Sequence, residues 1–100
     1  MASEQPLDFH PEALAELERA KVWYDEQRLG LGESFFHEIT VAISRIREAP
    51  NTWPEYQRRT RRFLVHRFPF AVIYSQRSNG LLVVAVMHLK RRPGYWTSRL

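Results

Sequence analysis

The stretch Val83–Trp96, VVAVMHLKRRPGYW, sets a histidine, three cations, a Pro-Gly break and two aromatics directly after an apolar run. His88 is the residue there whose unperturbed pKa, about 6.5, suits proton transfer near neutrality, whereas Tyr95, near 10, needs help to ionise. A second cluster sets four arginines, Arg58, Arg59, Arg61 and Arg62, within five residues, and Lys90, Arg91 and Arg92 add to the same basic field. The planar guanidinium fork suits phosphates and carboxylates. These residues are read as a recognition surface, with a solvated edge that resists sheet-to-sheet aggregation as the plainer alternative. For His88 the plainer reading is a histidine bonded to backbone at a strand end. For Tyr95 and Trp96 it is rings folded back over the sheet to close a small core, the role favoured for Trp96. Zero cysteines exclude disulfides and thiolate metal sites, and His10, His37, His66 and His88 show no ligand-like spacing with carboxylates. No metal or other cofactor is expected.

The charge is unevenly divided. Residues 1–50 carry ten acidic and five basic side chains, whereas residues 51–100 carry one acidic and ten basic, so halves of −5 and +9 make the net +4. Such a field speaks of partners, polyanionic or acidic, and not of fold. With 100 residues and 44% hydrophobic content, the chain is expected to form one domain over residues 1–100. It has no apolar run of the roughly 18 residues that span a bilayer and no basic-then-apolar leader, so a cytoplasmic location without membrane contact is expected.

The elements that must position these groups follow from periodicity. His10-Pro11-Glu12 opens a helix, because proline is tolerated where its missing N–H costs nothing and acids favour the first turn. Leu14, Leu17, Lys21 and Tyr24 continue it to a stop near Gly30. From about Gly32, Phe35, Ile39, Ala42, Ile43 and Ile46 form one apolar stripe that ends at Ala49-Pro50, and the brief link makes the two helices an antiparallel hairpin. Alternation then takes over: two strands over Phe63–Ser75 join near His66-Arg67, with Phe68 on the second. A Ser78-Asn79-Gly80 turn precedes a strand over Leu81–Met87 that is apolar throughout, hence covered on both faces. The predicted fold class is α+β, an N-terminal helical hairpin packed on a small antiparallel sheet.

Several segments in this order resemble the RelE/ParE superfamily of toxins from type II toxin–antitoxin systems. They are Leu31-Gly32 before a Phe-rich helix, Ala49-Pro50, Arg61-Arg62, Arg67-Phe68-Pro69-Phe70, Val72-Ile73-Tyr74, Val84–His88 and Arg91–Trp96. The resemblance spans Leu7 to Arg99 and rests on order and spacing, not on one motif. It implies a short N-terminal strand, here Pro6–Phe9, and a cognate acidic, partly disordered antitoxin that wraps the toxin as a hetero-oligomer.

The superfamily divides by mechanism. RelE-like members cut mRNA in the ribosome, and that reading would assign Arg61, Arg67, His88 and Tyr95 as cations, acid and base. ParE-like members inhibit DNA gyrase, and that reading makes Arg58, Arg59, Arg61, Arg62, Lys90, Arg91, Arg92, Tyr95 and Trp96 a binding surface. Aligning the last strands puts Leu89 where the ribonucleases carry an arginine, and the ending His88-Leu89-Lys90-Arg91-Arg92 looks closer to the ParE type. A non-toxic module that binds nucleic acid, or only the antitoxin, is a third reading.

Overall fold

The computed structural model describes residues 5–100. In chain order come β1 (Leu7–Phe9), α1 (Pro11–Gln27), α2 (Leu31–Glu48), β2 (Arg61–Leu64), β3 (Phe70–Arg77) and β4 (Gly80–His88). Short 3-10 turns lie at Gln57–Arg59 and Thr97–Arg99. The expected α+β architecture is the one observed, a helical hairpin on a four-stranded sheet of order β1-β4-β3-β2. β2, β3 and β4 are antiparallel, while β1 lies parallel to β4 and makes the sheet mixed at that edge. Parallel neighbours need a long crossover, which everything between Phe9 and Gly80 supplies.

Local chemistry closes the hairpin. The Nδ1 of His10 accepts the Glu12 N–H at 3.1 Å and caps α1, with Pro11 at its first position. Asp25 near the end of α1 accepts the Gly32 N–H at 2.8 Å, satisfying a donor at the start of α2. Gly32 is required there, because a Cβ would collide with the Lys21 carbonyl and the Asp25 carboxylate. Phe35, Ile39, Ala42 and Ile46 are buried along α2 as its stripe predicts.

The loop between β2 and β3 is longer than alternation suggests. Phe68 precedes β3 because Arg67 takes a left-handed turn at φ 72, and the buried Phe68 ring packs on Tyr24 and Phe35 instead. On β4, Tyr74 pairs with Val83 and Ile73 with Ala85, so Val84 is an extra residue in a β-bulge. The bulge shifts the alternation: Leu81, Val83 and Val86 join the core under the helices, whereas Val84, Ala85 and Met87 join a second core on the opposite face. That second core holds Trp96 and is flanked by Tyr56, Leu82 and Tyr95, so the tail covers the face that the helices leave open. No helix among the described residues is long and apolar enough to cross a membrane.

Candidate functional site

The arginine cluster divides by what each side chain already holds. Arg61 on β2 donates from Nη1 to the Trp53 carbonyl at 2.7 Å, and its Nη2 lies 3.4 Å from Glu55 Oε2. It is half-buried and ties the loop before β2 to the sheet. Arg62 lays its guanidinium over the Tyr56 ring, 4.8 Å from the centroid. Arg58 and Arg59 are exposed, and each sits in the left-handed region, at φ 58 and φ 62. Such backbone is uncommon for residues with a Cβ, at roughly 1–2 kcal/mol each. Buried Thr60 holds the turn, its hydroxyl donating to the Gln57 carbonyl at 2.5 Å and its carbonyl accepting the Tyr56 N–H at 2.7 Å.

The tail divides in the same way. After β4 ends at His88, the Leu89 N–H donates to the Pro69 carbonyl at 2.9 Å, and the Lys90 N–H to His88 Nδ1 at 3.0 Å. Lys90, Arg91 and Arg92 then run exposed. Gly94 turns the chain at φ 88, beside the Gln57 side chain. Trp96 comes to rest 6.2 Å from Tyr56, ring centroid to centroid. The two basic segments, thirty residues apart in sequence, are thus brought side by side. Trp96 itself is 0% exposed. As a surface anchor it is corrected: the far face of the sheet needs a large ring to cover it, and Trp96 is that ring. Its Nε1–H finds no partner among the described residues.

A buried network ties α1 to the C-terminal tail through Glu16, Tyr95 and Arg99. Glu16 of α1 is 7% exposed and holds Arg99 through two parallel bonds, Nη1 to Oε1 and Nη2 to Oε2, each 3.0 Å. Oε1 also accepts the Val86 N–H at 3.0 Å, and Oε2 the Tyr95 hydroxyl at 2.8 Å. Arg99 further donates to the Val84 carbonyl at 3.1 Å. β1 ends opposite Val83, so from Val84 onward β4 has no strand on that side. The Glu16–Arg99 pair serves in its place, satisfying one carbonyl and one amide of a bare edge. A signal for Glu16 existed, since it stands at helical spacing beside Ala13, Leu17 and Ala20 on the buried stripe of α1. For Arg99 there was none.

The network holds the Tyr95 hydroxyl against Glu16. Burial first, then the hydrogen bond to Glu16 and its charge, push the hydroxyl far above the ordinary tyrosine range, against the opposing pull of Arg91 and Arg99. A proton so firmly held is mismatched to catalysis near neutrality. Of the four residues assigned under the ribonuclease reading, Tyr95 bonds Glu16, Arg61 bonds the Trp53 loop, and His88 accepts the Lys90 amide. Arg67 is exposed, 5.4 Å from the Phe68 ring centroid. None of these contacts joins one of the four to another.

Beside the network opens a cleft of about 500 Å³ between α1 and the far end of β4. Val86 and Phe70 are buried at its floor, Tyr24 is half-buried, and Trp23, Arg19 and Arg91 stand exposed at its margin, with His88 among the lining. A second groove of about 390 Å³ runs between the two helices past Leu14 and Phe36. No group of three or more His, Asp or Glu side chains among the described residues is placed to hold a metal.

Residues 7–93 match the family described as ParE toxin of type II toxin–antitoxin system, parDE. No curated protein matches the chain in sequence. Among solved structures, the chain is similar to one from the chromosomal ParDE toxin–antitoxin system of P. aeruginosa, with a TM-score of 0.77 at 13% identity. The match covers 87% of this chain and 98% of that one. At that identity the likeness concerns the fold.

Proposed function

The chain belongs to the ParE toxin family of type II toxin–antitoxin systems, and from that premise we propose that it inhibits DNA gyrase by binding and is neutralised by a cognate acidic, partly disordered antitoxin. The observation that carries the reading is the division just described. Two of the four side chains that metal-free RNA cleavage would recruit are engaged elsewhere, Tyr95 on Glu16 and Arg61 on Trp53. Arg58, Arg59, Lys90, Arg91 and Arg92 remain exposed on two adjoining segments. An inhibitor that works by contact needs surface and not a tuned pKa, and arginine is enriched at binding hot spots. Arg62 on Tyr56 borders this ridge, Arg61 and Tyr95 support it, and Trp96 anchors it from beneath. A target in the cytoplasm places the protein there.

The test is a supercoiling assay with purified gyrase beside a ribosome-bound mRNA cleavage assay. Inhibited supercoiling with intact mRNA, unchanged by His88→Ala, supports the proposal. Position-specific mRNA cuts that vanish with His88→Ala overturn it and restore the RelE-like alternative, where loss of a general acid–base group costs roughly 100-fold or more in rate. Absence of any complex with the acidic protein encoded by an adjoining reading frame removes the antitoxin half of the reading.

A further inference from the structure

The cleft beside Glu16 combines three features that no part of the fold requires to occur together. Its floor, formed by Phe70, Val86 and Tyr24, is apolar, and Trp23 beside it is 55% exposed although a large ring gains by burial. At its margin stand two guanidinium groups, Arg19 and Arg91, with no carboxylate within ion-pair distance among the described residues. The third feature is a donor among the lining residues. His88 Nδ1 accepts the Lys90 amide, so the neutral imidazole carries its proton on Nε2, the nitrogen left for a ligand. The one carboxylate lining the cleft, Glu16, does not oppose an anion, because Arg99, Tyr95 and the Val86 amide already saturate it.

We propose that this cleft seats an extended acidic peptide segment, which inserts one large apolar side chain over Phe70 and Val86 and sets carboxylates against Arg19, Arg91 and the His88 donor. The inference rests on the proposed function and names the site through which the antitoxin acts. It also supplies a route to neutralisation. Arg91 lies 3.9 Å from the Tyr95 ring centroid and belongs to both the cleft margin and the target ridge. A peptide carboxylate that engages Arg91 withdraws a cation from the ridge. A duplex nucleic acid matches the charge but has no side chain to fill a narrow aromatic floor.

The experiment titrates the full-length protein into a short dye-labelled peptide with one tryptophan flanked by glutamates, followed by fluorescence anisotropy, beside a counterpart with lysines. Saturable, salt-sensitive binding of the acidic peptide alone is expected. Arg19→Glu with Arg91→Glu should weaken it about tenfold or more, and Trp23→Ala about fivefold or more. Arg28→Glu with Arg45→Glu removes the same charge away from the cleft and should change it less than about twofold. All of these residues are exposed, so thermal unfolding should confirm intact folds. Equal binding of the lysine peptide, equal effects of the two charge reversals, or no saturable binding overturns the proposal. Duplex DNA that displaces the peptide at lower concentration overturns it in favour of a nucleic-acid occupant. Loss of the gyrase reading would appear in the supercoiling assay, whereas the titration reads the cleft alone.

Discussion

The beginning and end of the C-terminal tail are built from similar residues and put to opposite uses. Lys90, Arg91 and Arg92 are exposed and hold no carboxylate among the described residues, whereas a few positions later Tyr95 and Arg99 are drawn inward onto Glu16. The same contrast runs through the other basic segment, where Arg58 and Arg59 point to solvent and Arg61 ties down a loop. An arginine becomes structural where it meets a buried carboxylate or an orphaned carbonyl, and stays available where it meets neither. Desolvation, not charge, separates the two groups. Breaking a buried pair strands an ion in a poor solvent, while removing an exposed cation leaves the fold nearly untouched.

That contrast is broken most severely by Glu16→Ala. The substitution leaves Arg99 buried without its partner and exposes the Val86 amide and Tyr95 hydroxyl to the same loss, so unfolding free energy should fall by about 3–5 kcal/mol. Chemical denaturation checks it, and a change of under about 1 kcal/mol would mean that the tail is not held by this network. Trp96→Ala tests the covered face and should cost about 3–5 kcal/mol through the cavity it opens. Tyr95→Phe is gentler, at about 1 kcal/mol, because Glu16 keeps Arg99 and Val86 when the hydroxyl is lost.

Alkaline pH probes the same region without mutation. Burial raises the pKa of Tyr24, Tyr74 and Tyr95, that of Tyr74 to about 12 despite the opposing charge of Arg61. Unfolded tyrosines release their protons near pH 10 while the folded ones still hold theirs, so the unfolded state binds fewer protons and stability falls as pH rises. The contribution is complete below about pH 10 and is lost as pH climbs through the raised values, up to about 12 for Tyr74. Denaturation curves at about pH 8 and about pH 11 should differ accordingly in wild type, with a smaller difference in Tyr95→Phe. At the other end of the scale, Arg58→Gly with Arg59→Gly should shift stability by no more than about 1 kcal/mol, because relief of left-handed backbone offsets the freedom glycine adds to the unfolded chain. The same pair should weaken gyrase inhibition, and intact inhibition would place the target surface elsewhere.

How far the site could be read in advance depends on whether its cause is local. The helix beginning at Pro11, the stripe from Phe35 to Ile46 and the turn before Gly80 were legible because propensity and period act over a few residues. The end of β2 and the place of Phe68 were misread, since a left-handed Arg67 leaves no periodic trace. The bulge at Val84 was invisible in a run apolar at every position, because only a polar residue would have marked the change of face. Glu16 was visible only as an acid on a buried stripe, without its partner 83 residues away.

The sequence by itself determined the α+β order, the toxin family and the separation of an acidic first half from a basic second half, since these depend on spacing and composition. Only the tertiary structure decided which cations are free, that Trp96 lies beneath the sheet, and that Glu16 and Arg99 complete the edge of β4 where β1 ends. The physical reason is that charge belongs to a residue, whereas its solvation and its partner belong to whatever the fold brings beside it.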